Sequence, residues 1–409
     1  MPTITNLDVR KLEDYTRYID DSEQLALSQM AHSLQGKKVV EINATAYGGG
    51  VAELLRGKIA LMQGMGIDAS WYVLPPNDAF FHTTKQIHNC LQGHCEMPDQ
   101  AQFRSYTDYL AEVARDLPRD ADLYVLHDPQ TLGLAAYLPA GRVIWRCHID
   151  LTQSDPSGLK WLEGYYQHFS KVIFSLENYA HGLARSKVAI VHPSIDPLSD
   201  KNKPLAGDFV AKQLSQYCID ERYPYIAQIS RFDRFKDPLG VIDIYRDLVG
   251  FMPQYKLLLV GNMATDDPEG VEYFDKVKRK VAMIDERIQL ITEANDLSIN
   301  AIQSGASAIL QNSHREGFGL TVTEALWKKQ FVFSRPVGGI AIQVVDGRTG
   351  FYLEENAFES AEKIVTVLRR PDDHLQVRMQ ARELVRRKFL LPTMVHDYLE
   401  VYQKVLTST

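Results

Sequence analysis

Cysteine is scarce in this chain: four residues, Cys90, Cys95, Cys147 and Cys218, are spread over 409 positions. A disulfide framework needs a denser set in a short secreted domain, so the pattern excludes one and suggests a reducing compartment. Positive charge is also in deficit, with 45 Lys and Arg against 52 Asp and Glu and a formal net charge of −7. Coating nucleic acid or anionic lipid requires a cationic surplus, so any polyanion must be held locally. No uninterrupted apolar run approaches the roughly 20 residues of a membrane span. The opening residues, MPTITNLDVRKLEDY, lack the apolar stretch of a signal peptide. The expectation is a cytoplasmic protein that binds neither nucleic acid nor membrane. Repeats and biased segments are missing too. Arg378 to Lys388 is basic, but Val377, Ala381, Leu384 and Val385 place it on an amphipathic helix with a solvated face.

What is present is ordinary globular composition, 45% hydrophobic and 24% charged, in a length that suits two or three domains. Short runs rich in Val, Ile, Leu and Tyr alternate with longer amphipathic stretches, the mark of βα units on a parallel sheet. A first set of strands is predicted at 37–44, 69–75, 122–128, 142–148, 171–176 and 187–193, with helices such as 99–117 and 157–169 between. A second set is predicted at 223–230, 255–262, 287–292, 307–313, 330–336 and 350–353. Pro238 and Pro253 bracket a helix over 237–253, and Pro268 sits just inside the next. Between the sets, SIDPLSDKNKP (194–204) is polar and breaker-rich, as a linker would be. The expected architecture is α/β: two doubly wound, Rossmann-like domains, 1–195 and 205–391, with ligands at the carboxyl ends of the strands and a cleft between the domains. A helix over 392–409 is expected to pack back on the first domain.

The motifs fall where strands end. The first strand runs into Tyr47, Gly48, Gly49, Gly50, Val51, Ala52 and Glu53, a glycine turn opening a helix. Such a turn lets backbone approach a ligand and offers free N–H groups, but it is neither the dinucleotide fingerprint nor a P-loop, and a plain tight turn explains it equally. After the strand at 223–230, Arg231 and Lys236 lie five apart before a helix, where two cations and a helix N-terminus can converge on one anion, a diphosphate being the natural guest. A salt-bridged surface loop is the alternative. After the strand at 307–313 comes HREGFGLTVTE, residues 314–324. Glu316 lies in that loop and Glu324 one turn into the helix, two carboxylates able to accept hydrogen bonds from sugar hydroxyls. Thr321 to Glu324 also fits a capping box, which would account for Glu324 but not for Glu316, Gly317 and Gly319.

Taken together, Glu-x7-Glu with Gly317, Phe318 and Gly319 between, Arg231 and Lys236 after a strand, and the Gly48 to Gly50 loop resemble the retaining glycosyltransferases of family 4, which have the GT-B fold. Nearer still, the blocks HNCLQG, WRCHIDL and SIDPLSDKN resemble the trehalose synthases that join glucose from a nucleoside-diphosphate glucose to free glucose. The resemblance spans nearly the whole chain. It implies that Arg231 and Lys236 bind the diphosphate, Glu316 the donor glucose and Glu324 the ribose. Backbone amides of Phe318, Gly319 and Leu320 would meet sugar hydroxyls or phosphate, and Asn262 and Met263 lie near the nucleotide pocket. His148 would face the donor sugar, with Asp128 near the sugars. Gly49 and Gly50 would approach acceptor and phosphate, and Lys85, His88 and Asn89 lie on the acceptor side. A histidine at a strand end can instead be a satisfied core residue, and Asp128 before Pro129 can simply begin a turn.

Breaking a glycosyl–phosphate bond puts negative charge on the diphosphate and positive charge on the sugar ring, so cations are needed at one end and oxygen acceptors at the other. Arg231 and Lys236 would take the place of a metal, since the acidic pair Asp120 and Asp122 precedes its strand and lies at the wrong end of the sheet. Neither cofactor nor metal is therefore expected. For such an enzyme the family picture is front-face attack, with the leaving phosphate taking the acceptor proton. A glycosidase pair of carboxylates fits less well, because Glu324 has a helix-face position suited to binding. The group His82, His88, Cys90, His94 and Cys95 has no recognised zinc spacing. A retaining trehalose phosphorylase, a transferase acting on glycerate or glycerol, and a non-catalytic sugar sensor are the rival functions. The base of the donor is not legible, and oligomeric state, including a homodimer, stays open.

Overall fold

The alternation seen in the sequence folds into two α/β units, Met1–Ser194 with Leu391–Thr409, and Ile195–Leu390. The structure is a computed structural model of the chain; it describes all residues except 47–48, 94–95, 221, 262–267 and 409. Strands of the first unit are β1 (Thr3–Ile4), β2 (Lys38–Asn43), β3 (Asp68–Val73), β4 (Leu123–His127), β5 (Val143–Arg146), β6 (Lys171–Phe174) and β7 (Val188–Ile190). Its helices are α1 (Asp21–Ser33), α2 (Gly49–Gly64), α3 (Asp78–Leu91), α4 (Gln100–Val113), α5 (Asp128–Leu132) and α6 (Pro156–Tyr166). The sheet order is β1-β3-β2-β4-β5-β6-β7. All pairs are parallel except β1 with β3, a two-residue antiparallel edge too short to leave a periodic signal in the sequence.

Parallel strands covered on both faces read as continuous apolar runs, and β2 and β4 do so, with Val39, Val40, Ile42, Leu123, Tyr124, Val125 and Leu126 fully buried. Burying each such side chain contributes about 1.5–3 kcal/mol. Glu41 breaks the run in β2 and is fully buried as well. The acidic pair Asp120 and Asp122 lies at the opposite, amino end of the sheet, ion-paired with Lys38 and Lys37.

In the second unit, β8 (Tyr225–Ile229), β9 (Lys256–Val260), β10 (Ile288–Ile291), β11 (Ala308–Gln311), β12 (Phe331–Ser334) and β13 (Phe351–Tyr352) form a fully parallel sheet in the order β10-β9-β8-β11-β12-β13. This is the dinucleotide-binding order 3-2-1-4-5-6 counted along the unit. Helix α7 (Gly207–Ser215) precedes the strands, and α8 (Pro238–Phe251), α9 (Pro268–Ile284), α10 (Asp296–Gly305), α11 (Leu320–Trp327), α12 (Ala357–Arg369) and α13 (Leu375–Lys388) lie between and after them. Residues 195–204, read from composition as a linker, are bound into this unit. Asn300 donates to the carbonyls of Asp200 and Lys203, and the Trp327 indole donates to the Asn202 carbonyl. Their polar side chains serve turns and hydrogen bonds, which composition alone does not separate from a free linker. The last helix, α14 (Leu391–Thr407), returns to the first unit against α1 and α2, with Met394, Tyr398, Val401, Tyr402 and Val405 buried.

Among the described residues no helix is long and apolar enough to cross a membrane. Cys147 is a buried thiol and Cys218 an exposed one, whereas Cys90 is disulfide-bonded, against the expectation from cysteine scarcity.

Candidate active site

In an open parallel sheet the binding crevice forms where neighbouring strands send their connections to opposite faces. In the second unit that switch point lies between β8 and β11, and the two loops picked out in the sequence leave these two strands. They are joined directly: the His314 N–H donates to the Phe235 carbonyl at 2.8 Å. The first loop is shaped by Asp233, whose Oδ1 accepts from the N–H groups of Phe235 and Lys236. The buried Gln228 amide holds the Lys236 carbonyl at 2.7 Å. Asp237 then caps α8, its Oδ1 accepting from the Gly240 N–H and its Oδ2 from the Asn312 amide of the second loop.

This scaffold brings Lys236 Nζ to 2.6 Å from Glu316 Oε2, a partly buried pair 80 residues apart in sequence, with Ser313 Oγ 3.5 Å from the same oxygen. Arg231 sits on the same loop but is mostly exposed, 3.3 Å from Asp233 Oδ2. Gly319 is the left-handed entry to α11, with φ +84°, and a Cβ there would stand 2.9 Å from Ile340 Cγ1 and 3.3 Å from Glu316 Cγ. Gly319 therefore meets both a backbone and a packing demand. The helix starts at Leu320 and its N-cap, Gly319, has no side chain to cap with, so the Thr321–Glu324 capping box does not form. Glu324 is buried instead, accepting from the Gln303 amide at 3.2 Å with Lys201 Nζ 3.9 Å away. At the start of α11 the Val322 and Thr323 N–H groups donate to the Gly319 carbonyl, whereas the Leu320 N–H precedes the first intrahelical acceptor. Gly317 and Phe318 turn their carbonyls inward, to the Gly339 N–H and the Gln343 amide.

In the first unit the switch point lies between β2 and β4. After β2, helix α2 begins at Gly49 and Gly50; Gly48 lies outside the described residues, as do Asn262, Met263, His94 and Cys95. After β4, Asp128 takes φ +62°, uncommon for a side-chain-bearing residue. Its Oδ1 accepts from the His148 N–H at 2.8 Å, which draws the end of β5 to the end of β4. Asp128 and His148 are thus direct partners, both half-buried.

Beneath them lies a network that the sequence reading missed. His127 Nδ1 is 3.1 Å from His148 Nε2, and His127 Nε2 is 2.7 Å from Glu41 Oε2. Glu41 Oε1 is held by Lys58 Nζ at 2.7 Å and by the Tyr402 hydroxyl at 2.7 Å. Lys58 also lies over the Tyr398 ring at 3.8 Å. Arg146, buried at the end of β5, donates to Ser175 Oγ at 3.0 Å. The sequence did hold one signal: a carboxylate in the middle of an apolar strand has to be paired.

Burial alone would raise the Glu41 carboxyl, but the Lys58 charge and the His127 bond outweigh it and hold it down to about 2. Burial, reinforced by Lys58 and Arg146, brings His127 down to about 4 despite Glu41. Burial and the Arg146 charge take His148 well below 6.5. Burial raises Asp128 to about 6 against the pull of the His148 N–H and Arg146.

Lys85 and Asn89 are exposed on α3 and His88 is half-buried there; no hydrogen bond or ion pair links Lys85 or Asn89 to this network among the described residues. Nor do three or more His, Cys, Asp or Glu of the described residues group as they would around a metal ion.

Fold and switch-point loops define a glycosyltransferase of the GT-B class. Residues 41–181 match the family model "Trehalose synthase, N-terminal domain" and residues 210–384 match "Glycosyl transferases group 1". The chain is similar to the trehalose synthase of Thermococcus litoralis, 39% identical over 399 residues and 96% of each chain. It is likewise similar to that of Rubrobacter xylanophilus, 36% identical over 408 residues and 97% of each. Among solved structures, Anabaena Alr3699/HepE in complex with UDP-glucose superposes with a TM-score of 0.70 at 17% identity, over 91% of this chain and all of that one. The chain belongs to the trehalose synthase family of glycosyltransferases.

Proposed function

We propose that the protein is a retaining, family 4 hexosyltransferase that moves glucose from a nucleoside-diphosphate glucose to the anomeric hydroxyl of free glucose, forming α,α-trehalose reversibly. The observation that carries the reading is the Lys236–Glu316 pair at the switch point of a sheet with dinucleotide-binding strand order. In this reading Lys236, with Arg231 brought in from solvent, faces the diphosphate. Glu316 accepts hydroxyls of the donor glucose and Glu324 those of the ribose. His148 and Asp128 of the first unit attend to the sugars, and Gly49 and Gly50 bring the start of α2 to the acceptor. In turnover the bond from C1 to the phosphate oxygen breaks with its electron pair leaving on the diphosphate. The acceptor oxygen bonds C1 on the same face, and its proton passes to the leaving phosphate. Lys236 and Arg231 offset the developing negative charge, so no metal is required.

The test is incubation of the purified protein with UDP-, ADP- and GDP-glucose plus glucose, with the product identified by NMR. Expected is α,α-trehalose with at least one donor, undiminished by EDTA. Glucose release from trehalose only in the presence of phosphate, or transfer only to glycerate or glycerol, would replace this reading by a phosphorylase or by another acceptor.

A further inference from the structure

The chain Glu41–His127–His148 crosses three parallel strands and ends on a ring that is half-buried, so its proton positions have consequences at the surface of the site. Glu41 has no proton to give, being paired with Lys58 at 2.7 Å and bonded by the Tyr402 hydroxyl. The 2.7 Å contact to His127 therefore requires the proton on His127 Nε2. A neutral His127 then has a bare Nδ1, and the 3.1 Å contact to His148 requires the proton on His148 Nε2. No described residue hydrogen-bonds the remaining His148 nitrogen, Nδ1.

We infer that Glu41 and His127 are positioning residues which lock His148 in the Nε2–H tautomer, leaving Nδ1 as a hydrogen-bond acceptor for a hydroxyl group of the sugar. The role in sugar binding rests on the function proposed above; the tautomer does not. An imidazole that can only accept selects a donating hydroxyl and cannot serve as a cation toward a phosphate. The groups around the two rings are Glu41 from β2, Lys58 from α2, Asp128 from α5 and Arg146 from β5, with Tyr402 of α14 bonded to Glu41 and Tyr398 of α14 under Lys58 and Arg146. Lys58 and Arg146 oppose a second proton on either ring, and the same burial and charges that lower both histidines keep them neutral at pH 7.

Long-range proton–nitrogen correlation spectra of the full-length, ligand-free protein labelled with ¹⁵N-histidine read the tautomer directly. His127→Phe and His148→Asn spectra assign the two rings. The expected result is protonated Nε2 and bare Nδ1 on both, without titration between about pH 5 and about pH 8. A His148 protonated on Nδ1, or either ring titrating near its ordinary value, would overturn the relay, whatever substrate the enzyme proves to use. Glu41→Leu is expected to mix the His148 tautomers and raise the KM for the sugar about tenfold with a smaller change in kcat. Glu41→Gln, which can still accept from His127, is expected to restore both. A folded His127→Phe protein whose His148 keeps its single tautomer would also refute the proposal. Should the Glu41 and His127 variants fail to fold, the wild-type spectrum, with the His148 ring assigned by His148→Asn, decides the matter.

Discussion

At the scale of single residues, two ion pairs carry different burdens. Lys236 and Glu316 keep 16% and 12% of their side chains exposed, so removing one leaves the other within reach of water, with Ser313 Oγ also 3.5 Å from Glu316. Lys236→Ala is expected to leave the melting temperature nearly unchanged and to lower kcat by about 10²–10³, the usual cost of losing one preorganised group that meets developing charge. Lys58 and Glu41 are buried, with 2% and 0% of their side chains exposed. Lys58→Met leaves a carboxylate in the core with only His127 and Tyr402, so the expected loss of stability is about 3–5 kcal/mol, measured by urea unfolding. The sequence marked Lys236 and Glu316 because they sit in loops after strands, where side chains are free for chemistry. It gave Glu41 and Lys58 no such mark, because the partner of a buried charge is chosen by strand and helix packing rather than by neighbours in the chain.

At the scale of elements, most boundaries were legible. The strands expected at 122–128 and 307–313 are found at Leu123–His127 and Ala308–Gln311, trimmed by a residue or two where the last side chains leave the ladder. The helix start at 320 was less legible, since Thr-x-x-Glu imitates a cap two residues too late and only the φ of Gly319 decides the matter. Gly319→Ala should cost about 1–2 kcal/mol for the left-handed backbone alone. It should also displace Glu316, so a drop in turnover larger than the fall in melting temperature is expected. Helix α14 returns to the first unit as the sequence led one to expect, but no local pattern could assign its partner there, Glu41. Its Tyr402 hydroxyl, pushed well above its ordinary value by burial and the Glu41 charge, stays protonated and donates to Glu41. Tyr402→Phe removes that bond from a buried carboxylate and is expected to cost about 1–3 kcal/mol.

At the scale of the whole molecule, each unit has its own sheet and core, so unfolding need not be a single transition. Trp71, Trp145 and Trp161 report on the first unit and Trp327 on the second. Between pH 6.5 and about 4, the unfolded chain protonates His127 while the folded chain does not, and His148 acts in the same sense. Stability from these rings is therefore complete above 6.5 and is lost as pH falls. Asp128 opposes them, because its folded carboxyl takes a proton near 6, above its ordinary 3.8. Glu41 adds a further loss as pH falls from 4.5 toward about 2. With two histidines against one aspartate, the tryptophan-detected urea midpoint of the first unit is expected to be lower at pH 5 than at pH 7, and His127→Phe should flatten the difference. An unchanged midpoint would mean that Asp128 cancels the rings, and a higher midpoint at pH 5 that the buried rings titrate as they do in water.

By itself the sequence determined the alternation of strands and helices and the loops that carry glycine, Arg231, Lys236, Glu316 and His148, because these follow from local pattern and composition. Only the tertiary structure decided strand order, and with it which loops meet. Placing β8 beside β11 joins Lys236 to Glu316, and placing β4 between β2 and β5 strings Glu41, His127 and His148 into one chain. The reason is physical: hydrogen bonds and ion pairs act over about 3 Å, and residues 80 or more apart in sequence come within that reach only when the sheet has chosen its neighbours.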